Sequence, residues 1–246
     1  MNNKILEILK DSFVSYIING SRSNRKLKIL HSQIAMDIIS KLKQLQDKND
    51  IYKVVSLDLK DGKEEKICGR YMDKTVDILI KKNDVNFAAV GVKFIMSNFK
   101  QNKNNYFENL LGEVANIRSA NIPYYQILFI PEKLPYFSKN AGIIKKWETV
   151  TENDLIKYRI LGKDNTKIYF HSPEKMFIGI IDFNYDNIDF KDYETFSTFF
   201  LDIKHNNKFS FSKIPSYDKN TQADSNLIIN DYELFIQKVV FHILSI

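Results

Sequence analysis

Two charges stand alone inside apolar runs. Asp77 interrupts Val76-Asp77-Ile78-Leu79-Ile80, and Lys93 interrupts the stretch from Phe87 to Met96. Burying an unpaired charge is costly, so each needs a partner. For Asp77 a local salt bridge or a sheet-edge position is the plain reading, and a metal site is the chemical one. A carboxylate can hold Mg2+, while a nearby ammonium can orient the attacking water and offset phosphate charge during phosphodiester hydrolysis. Sixteen positions separate the two residues, enough for two neighbouring strands joined by the turn Lys81-Lys82-Asn83-Asp84. One carboxylate is too few for a divalent ion. Position 91, two before Lys93, is Gly, so the second acid must come from elsewhere. The next helix offers Glu108 and Glu113. Glu108 is favoured, because it shares a side with Leu111, Gly112 and Ala115, mostly small residues that allow close approach to a sheet.

The elements that must position these residues follow from periodicity. Apolar residues at helical spacing predict helices over 3–19 and 27–47. A strand is predicted over 51–59, ended by the Asp61-Gly62 turn, with a short return at 66–71. Strands over 75–80 and 85–96 carry Asp77 and Lys93. A polar tract over 97–105 leads into a helix over 105–119, which Asn121-Ile122-Pro123 terminates. A strand over 124–130 follows. This order gives an α/β (α+β) core with a mixed sheet over residues 27–130. Beyond Pro131, Thr151 and Asp154 form a capping box, 167–170 and 176–183 read as strands, and 184–224 is polar and studded with aromatics. A helix over 230–246 closes the chain. The expected organisation is one domain, 1–246, with the core at about 27–130 and an α/β elaboration at about 131–246.

Asp77, the Gly91-Val92-Lys93 triplet and the order of elements around them resemble the PD-(D/E)XK nuclease superfamily, in particular type II restriction endonucleases. The resemblance covers roughly residues 27–130. It departs at Val76, where the family often has Pro, and at Gly91, where the family expects Asp or Glu. One restriction-enzyme subgroup carries that acid on the helix after the lysine instead. The resemblance therefore implies a restriction-endonuclease-like core, Asp77 and Glu108 as Mg2+ ligands with Glu113 as second choice, and Lys93 as the catalytic lysine. It also implies sequence-specific cleavage of double-stranded DNA by a homodimer, with a cognate DNA methyltransferase as genetic partner and the C-terminal part serving recognition or dimerisation. A repair or toxin nuclease on the same core, and a DNA-binding protein with a decayed site, are the alternatives; the second is motivated by Gly91.

The net charge of +6 is compatible with nucleic-acid binding, although an ordinary Lys-rich bias explains it equally well. The DNA-contact candidates are Ser97, Asn98, Lys100, Gln101, Asn102, Lys103, Asn104 and Asn105, whose amides and cations suit bases and phosphates, together with Arg118. Lys145-Lys146-Trp147 and His171 are read mainly as structural. The single Cys68 excludes an internal disulfide or a cysteine-rich zinc cage, and is read as a small apolar filler in a reducing compartment. Glu7, Lys10 and Asp11 break the first apolar stretch, which does not suit an export signal. A cytoplasmic location is the expectation.

Overall fold

The computed structural model describes residues 1–46, 50–59, 62–138, 142–185, 188–202, 208–214 and 225–246. Its elements are α1 (Asn2–Asn19), α2 (Arg25–Leu45), β1 (Tyr52–Ser56), β2 (Glu65–Ile67), β3 (Lys74–Val76), β4 (Ile78–Lys82), β5 (Val85–Phe94), α3 (Phe99–Arg118), β6 (Tyr124–Pro131), β7 (Lys133–Phe137), β8 (Ile144–Thr149), α4 (Glu152–Leu161), β9 (Lys175–Asp182), α5 (Tyr193–Leu201), β10 (Ser210–Phe211), β11 (Leu227–Ile229) and α6 (Tyr232–Ser245). Seven strands form a mixed sheet in the order β1-β4-β5-β6-β9-β10, with β11 sharing the outer edge of β9. β1, β4 and β5 pair antiparallel, while β5, β6 and β9 run parallel. Parallel neighbours need crossovers, and α3 supplies the one from β5 to β6.

Alternation along the strands divides the core into two layers. Tyr125, Ile127 and Phe129 of β6 point to one face, where α1, α2, α5 and α6 pack. Tyr124, Leu128 and Ile130 point to the other, covered by α3 and α4. β6 is buried along its whole length, as expected for a central parallel strand with both faces covered. Along β5, Val90, Val92 and Phe94 join the first face, while Ala89 joins the second. Gly91 and Lys93, in the same alternation as Ala89, therefore face α3.

Several expectations are corrected. The strand predicted over 75–80 is broken at Asp77: β3 pairs with β2 in a separate two-stranded sheet, and β4 pairs with β1 and β5. The tract 97–105 is largely helix, because α3 begins at Phe99 behind Asn98, which sits in the left-handed region at φ 55°. Residues 167–170 form turns, closed by bonds from Ile168 and Tyr169 N–H to the Asn165 carbonyl. The β7–β8 hairpin was not anticipated. Cys68 is exposed rather than a filler. The stretch 184–224 yields α5 and β10; its residues 186–187, 203–207 and 215–224 lie outside the described residues. Among the described residues, no helix is long and apolar enough to cross a membrane.

Candidate functional site

The break at Asp77 creates the site. The ladder between β4 and β5 ends at the Ile78–Val90 pair, and the chain then turns away into β3. Val92 N–H, which a continuing β4 would have engaged, donates instead to Asp77 Oδ2 at 2.7 Å. Asp77 lines a cavity of about 450 Å3 at the end of β5, and its Oδ1 stands 3.9 Å from His31 Nδ1. Lys93 lies one residue on and also lines the cavity, with its Nζ 5.4 Å from the Tyr106 ring centre.

The helix α3 supplies the opposite wall through Tyr106, Asn109, Leu110 and Glu113. Their spacing of three, four and seven is one helical stripe. Glu108 is not on it. It is exposed, and its charge acts on Lys157 of α4. Of the two acids on α3, the one that shares the cavity with Asp77 is therefore Glu113, the second choice from sequence, and the position of Glu108 does not fit a shared ion with Asp77.

Glu113 is held at both oxygens. Tyr124 donates its hydroxyl to Oε1 at 2.6 Å, and Lys74 Nζ reaches Oε2 at 2.7 Å. Tyr124 is fully buried, and it occupies the space where a side chain on residue 91 would stand. A Cβ at Gly91 would lie 1.9 Å from the Tyr124 hydroxyl oxygen. An acid at 91 and this tyrosine exclude each other. The glycine thus makes room for the phenol that orients Glu113.

Burial, more than the balance of charges, sets the electrostatics of the site. Burial pushes the Asp77 carboxyl up to about 6; the Val92 N–H opposes the rise, the Glu113 carboxylate adds to it, and Lys74 and Lys93 oppose it. Burial, the Glu113 charge and the bond to it together raise the Tyr124 phenol well above its usual range, so it stays a donor. On the side of α2, His31 lines the same cavity and is almost fully buried. Burial lowers its imidazole to about 4 against the influence of Glu64, so it is neutral near pH 7. His31, Glu64, Lys74 and Tyr124 were all missed in the sequence. A lone imidazole within the buried stripe Leu30, Ile34, Ala35 and Ile38 of α2 was the available signal for His31.

The predicted DNA-contact residues are mostly committed within the chain. Lys100 and Lys103 both pair with the buried Asp154, Lys103 at 2.8 Å. Gln101 donates to Glu148, and Asn102 to the Asn98 carbonyl at 3.1 Å. Asn104 accepts from Lys157 at 2.9 Å. Ser97 and Asn105 are exposed. Arg118 is buried; its guanidinium binds Glu174 at 2.6 Å and the carbonyls of Thr166, Tyr169 and Ser172, which places it far from a phosphate-contact role. The cations on the cavity wall are instead Lys26, Lys74 and Lys93.

No protein-family model, curated protein or solved structure matches the chain.

Proposed function

We propose that the chain is a Mg2+-dependent endonuclease acting on double-stranded DNA. The observation that carries this reading is the convergence of Asp77, Glu113 and Lys93 on one cavity across the end of a mixed sheet. Two carboxylates and an ammonium, with Lys74 and Lys26 at the walls, form a donor set suited to a hard divalent cation and a phosphodiester. The residues fit such an ion. Only Oδ2 of Asp77 accepts a backbone N–H, and a bound cation would relieve the repulsion between its charge and that of Glu113. When bound, Mg2+ supplies Lewis-acid activation of the phosphate and of the attacking water. Asp77 and Glu113 are the residues that would hold it, and Tyr124 and Lys74 fix the Glu113 carboxylate. Lys93 Nζ would orient the water and meet phosphate charge.

The resemblance to type II restriction endonucleases extends this to sequence-specific cleavage by a homodimer, with a partner methyltransferase protecting the host. Gly91 favours the decayed-site alternative on sequence alone. Its weight is reduced by the Tyr124–Glu113 arrangement, which returns a second acid to the cavity.

The test is incubation of the purified protein with mixed-sequence DNA and Mg2+, followed by sequencing of the ends. Wild-type protein is expected to cut at a recurrent site. Asp77→Asn, Lys93→Ala and Glu113→Gln should each lose at least about a hundredfold in rate. Cleavage that survives Asp77→Asn or Lys93→Ala would sink the assignment.

A further inference from the structure

His31 has no hydrogen-bond partner at either ring nitrogen, although the side chain is only 1% exposed. Among the other described histidines, His242 shares a bond with the Tyr125 hydroxyl at 2.7 Å, and His171 is half-exposed beside Asp164. A buried imidazole normally finds a partner. His31 Nδ1 instead faces two carboxylate oxygens, Glu64 Oε1 at 3.6 Å and Asp77 Oδ1 at 3.9 Å. All three ligating atoms lie within 4.8 Å of one another.

These separations are too long for direct hydrogen bonds, which need roughly 2.7–3.2 Å. They match ligands around a shared ion: with bonds of about 2.0–2.2 Å, neighbouring donor atoms stand about 3–4 Å apart. We propose that His31, Glu64 and Asp77 form a second divalent-cation site, distinct from the Asp77–Glu113 pair and sharing Asp77 with it. Three separate elements converge there: α2 brings His31, the segment before β2 brings Glu64, and the break between β3 and β4 brings Asp77.

The donor set names the class of ion. One imidazole nitrogen with two carboxylates suits a transition-metal dication such as Mn2+ or Zn2+ better than Mg2+, which prefers an all-oxygen shell. Asp77 Oδ2 is already held by Val92 N–H, so Oδ1 is the oxygen that turns toward His31. The inference rests on the nuclease reading only through the shared Asp77.

The experiment titrates Mn2+ into chelator-stripped protein without DNA and reads the bound ion by pulsed electron paramagnetic resonance. Nitrogen coupling to the bound Mn2+ is expected in wild type and in Glu113→Gln. It should vanish in His31→Asn. Glu64→Gln, a change at a partly exposed position that is safer for folding, should weaken the nitrogen-coupled Mn2+ at least about tenfold. Bound Mn2+ with no nitrogen coupling in wild type would overturn the proposal, as would unchanged affinity in Glu64→Gln. Nitrogen coupling in a protein that cuts no DNA would support this site and sink the nuclease reading. Cleavage by a protein whose Mn2+ lacks nitrogen coupling would do the reverse.

Discussion

Replacing Gly91 with Ala tests whether Tyr124 fills the place of an acid at that position. The backbone there is not in the left-handed region, so alanine is conformationally allowed, and by itself the change would stabilise by roughly 0.4–1 kcal/mol through the unfolded state. Sterics decide otherwise. The new Cβ would stand 1.9 Å from the Tyr124 hydroxyl oxygen and 2.9 Å from Cζ. Ordinary contact needs about 3.5 Å, so the hydroxyl must retreat by about 1.5 Å. Tyr124 is fully buried but borders the cavity, so the phenol must either displace packed neighbours or turn into that space. The retreat breaks the 2.6 Å bond to Glu113. Losing that charge-assisted bond costs roughly 1.5–3 kcal/mol, and overpacking adds roughly 1–3 kcal/mol. The net expectation is a loss of roughly 2–5 kcal/mol. In a Tyr124→Phe background the closest atom is gone, and Gly91→Ala should then cost roughly 1 kcal/mol, a coupling the double-mutant cycle reads directly. Urea unfolding at pH 7 measures all four proteins. An equal cost in both backgrounds, or a cost below about 1 kcal/mol in wild type, would refute the reasoning.

Three further outcomes are expected. Glu108→Gln should cleave DNA like wild type while Glu113→Gln does not; a reversed result in the same assay returns the second acid to Glu108. Asp154 is held below the usual carboxylate range: burial alone would raise it, but bonds from Lys100, Lys103 and Thr151 prevail. Its folded value lies below its unfolded value, so the stability it contributes is present above about pH 4 and is lost as pH falls below that. Asp154→Asn should therefore cost roughly 2–3 kcal/mol at pH 7 and flatten the acid limb of the stability curve, as read by thermal melts from pH 7 to 2. Arg118→Met leaves Glu174 without its guanidinium partner and should destabilise by roughly 3–5 kcal/mol in chemical unfolding. A nucleic-acid role for Arg118 would show instead as weakened DNA binding with unchanged stability.

The sequence by itself determined the layered α+β order and the oddity of Asp77 and Lys93. Lone charges in apolar strands are visible one residue at a time, but the burial argument holds only for Asp77, which is half-buried, since Lys93 is exposed at the cavity mouth. The Thr151–Asp154 capping box was legible for a similar reason, because its partners lie three residues apart. What tertiary structure alone decided was the face of α3. That helix is covered by the sheet along Leu110, Val114 and Ile117, and Phe107 also meets Tyr158 of α4, so its apolar residues are spread around the axis and its periodicity is blurred. Glu108 and Glu113 are indistinguishable until those two coverings are known. The commitments of Lys100, Lys103 and Arg118 were hidden because their partners lie about fifty residues away in sequence. The kink at Asp77 and the room that Gly91 leaves for Tyr124 depend on pairing between distant strands, and there long-range packing rather than residue type sets the geometry of the site.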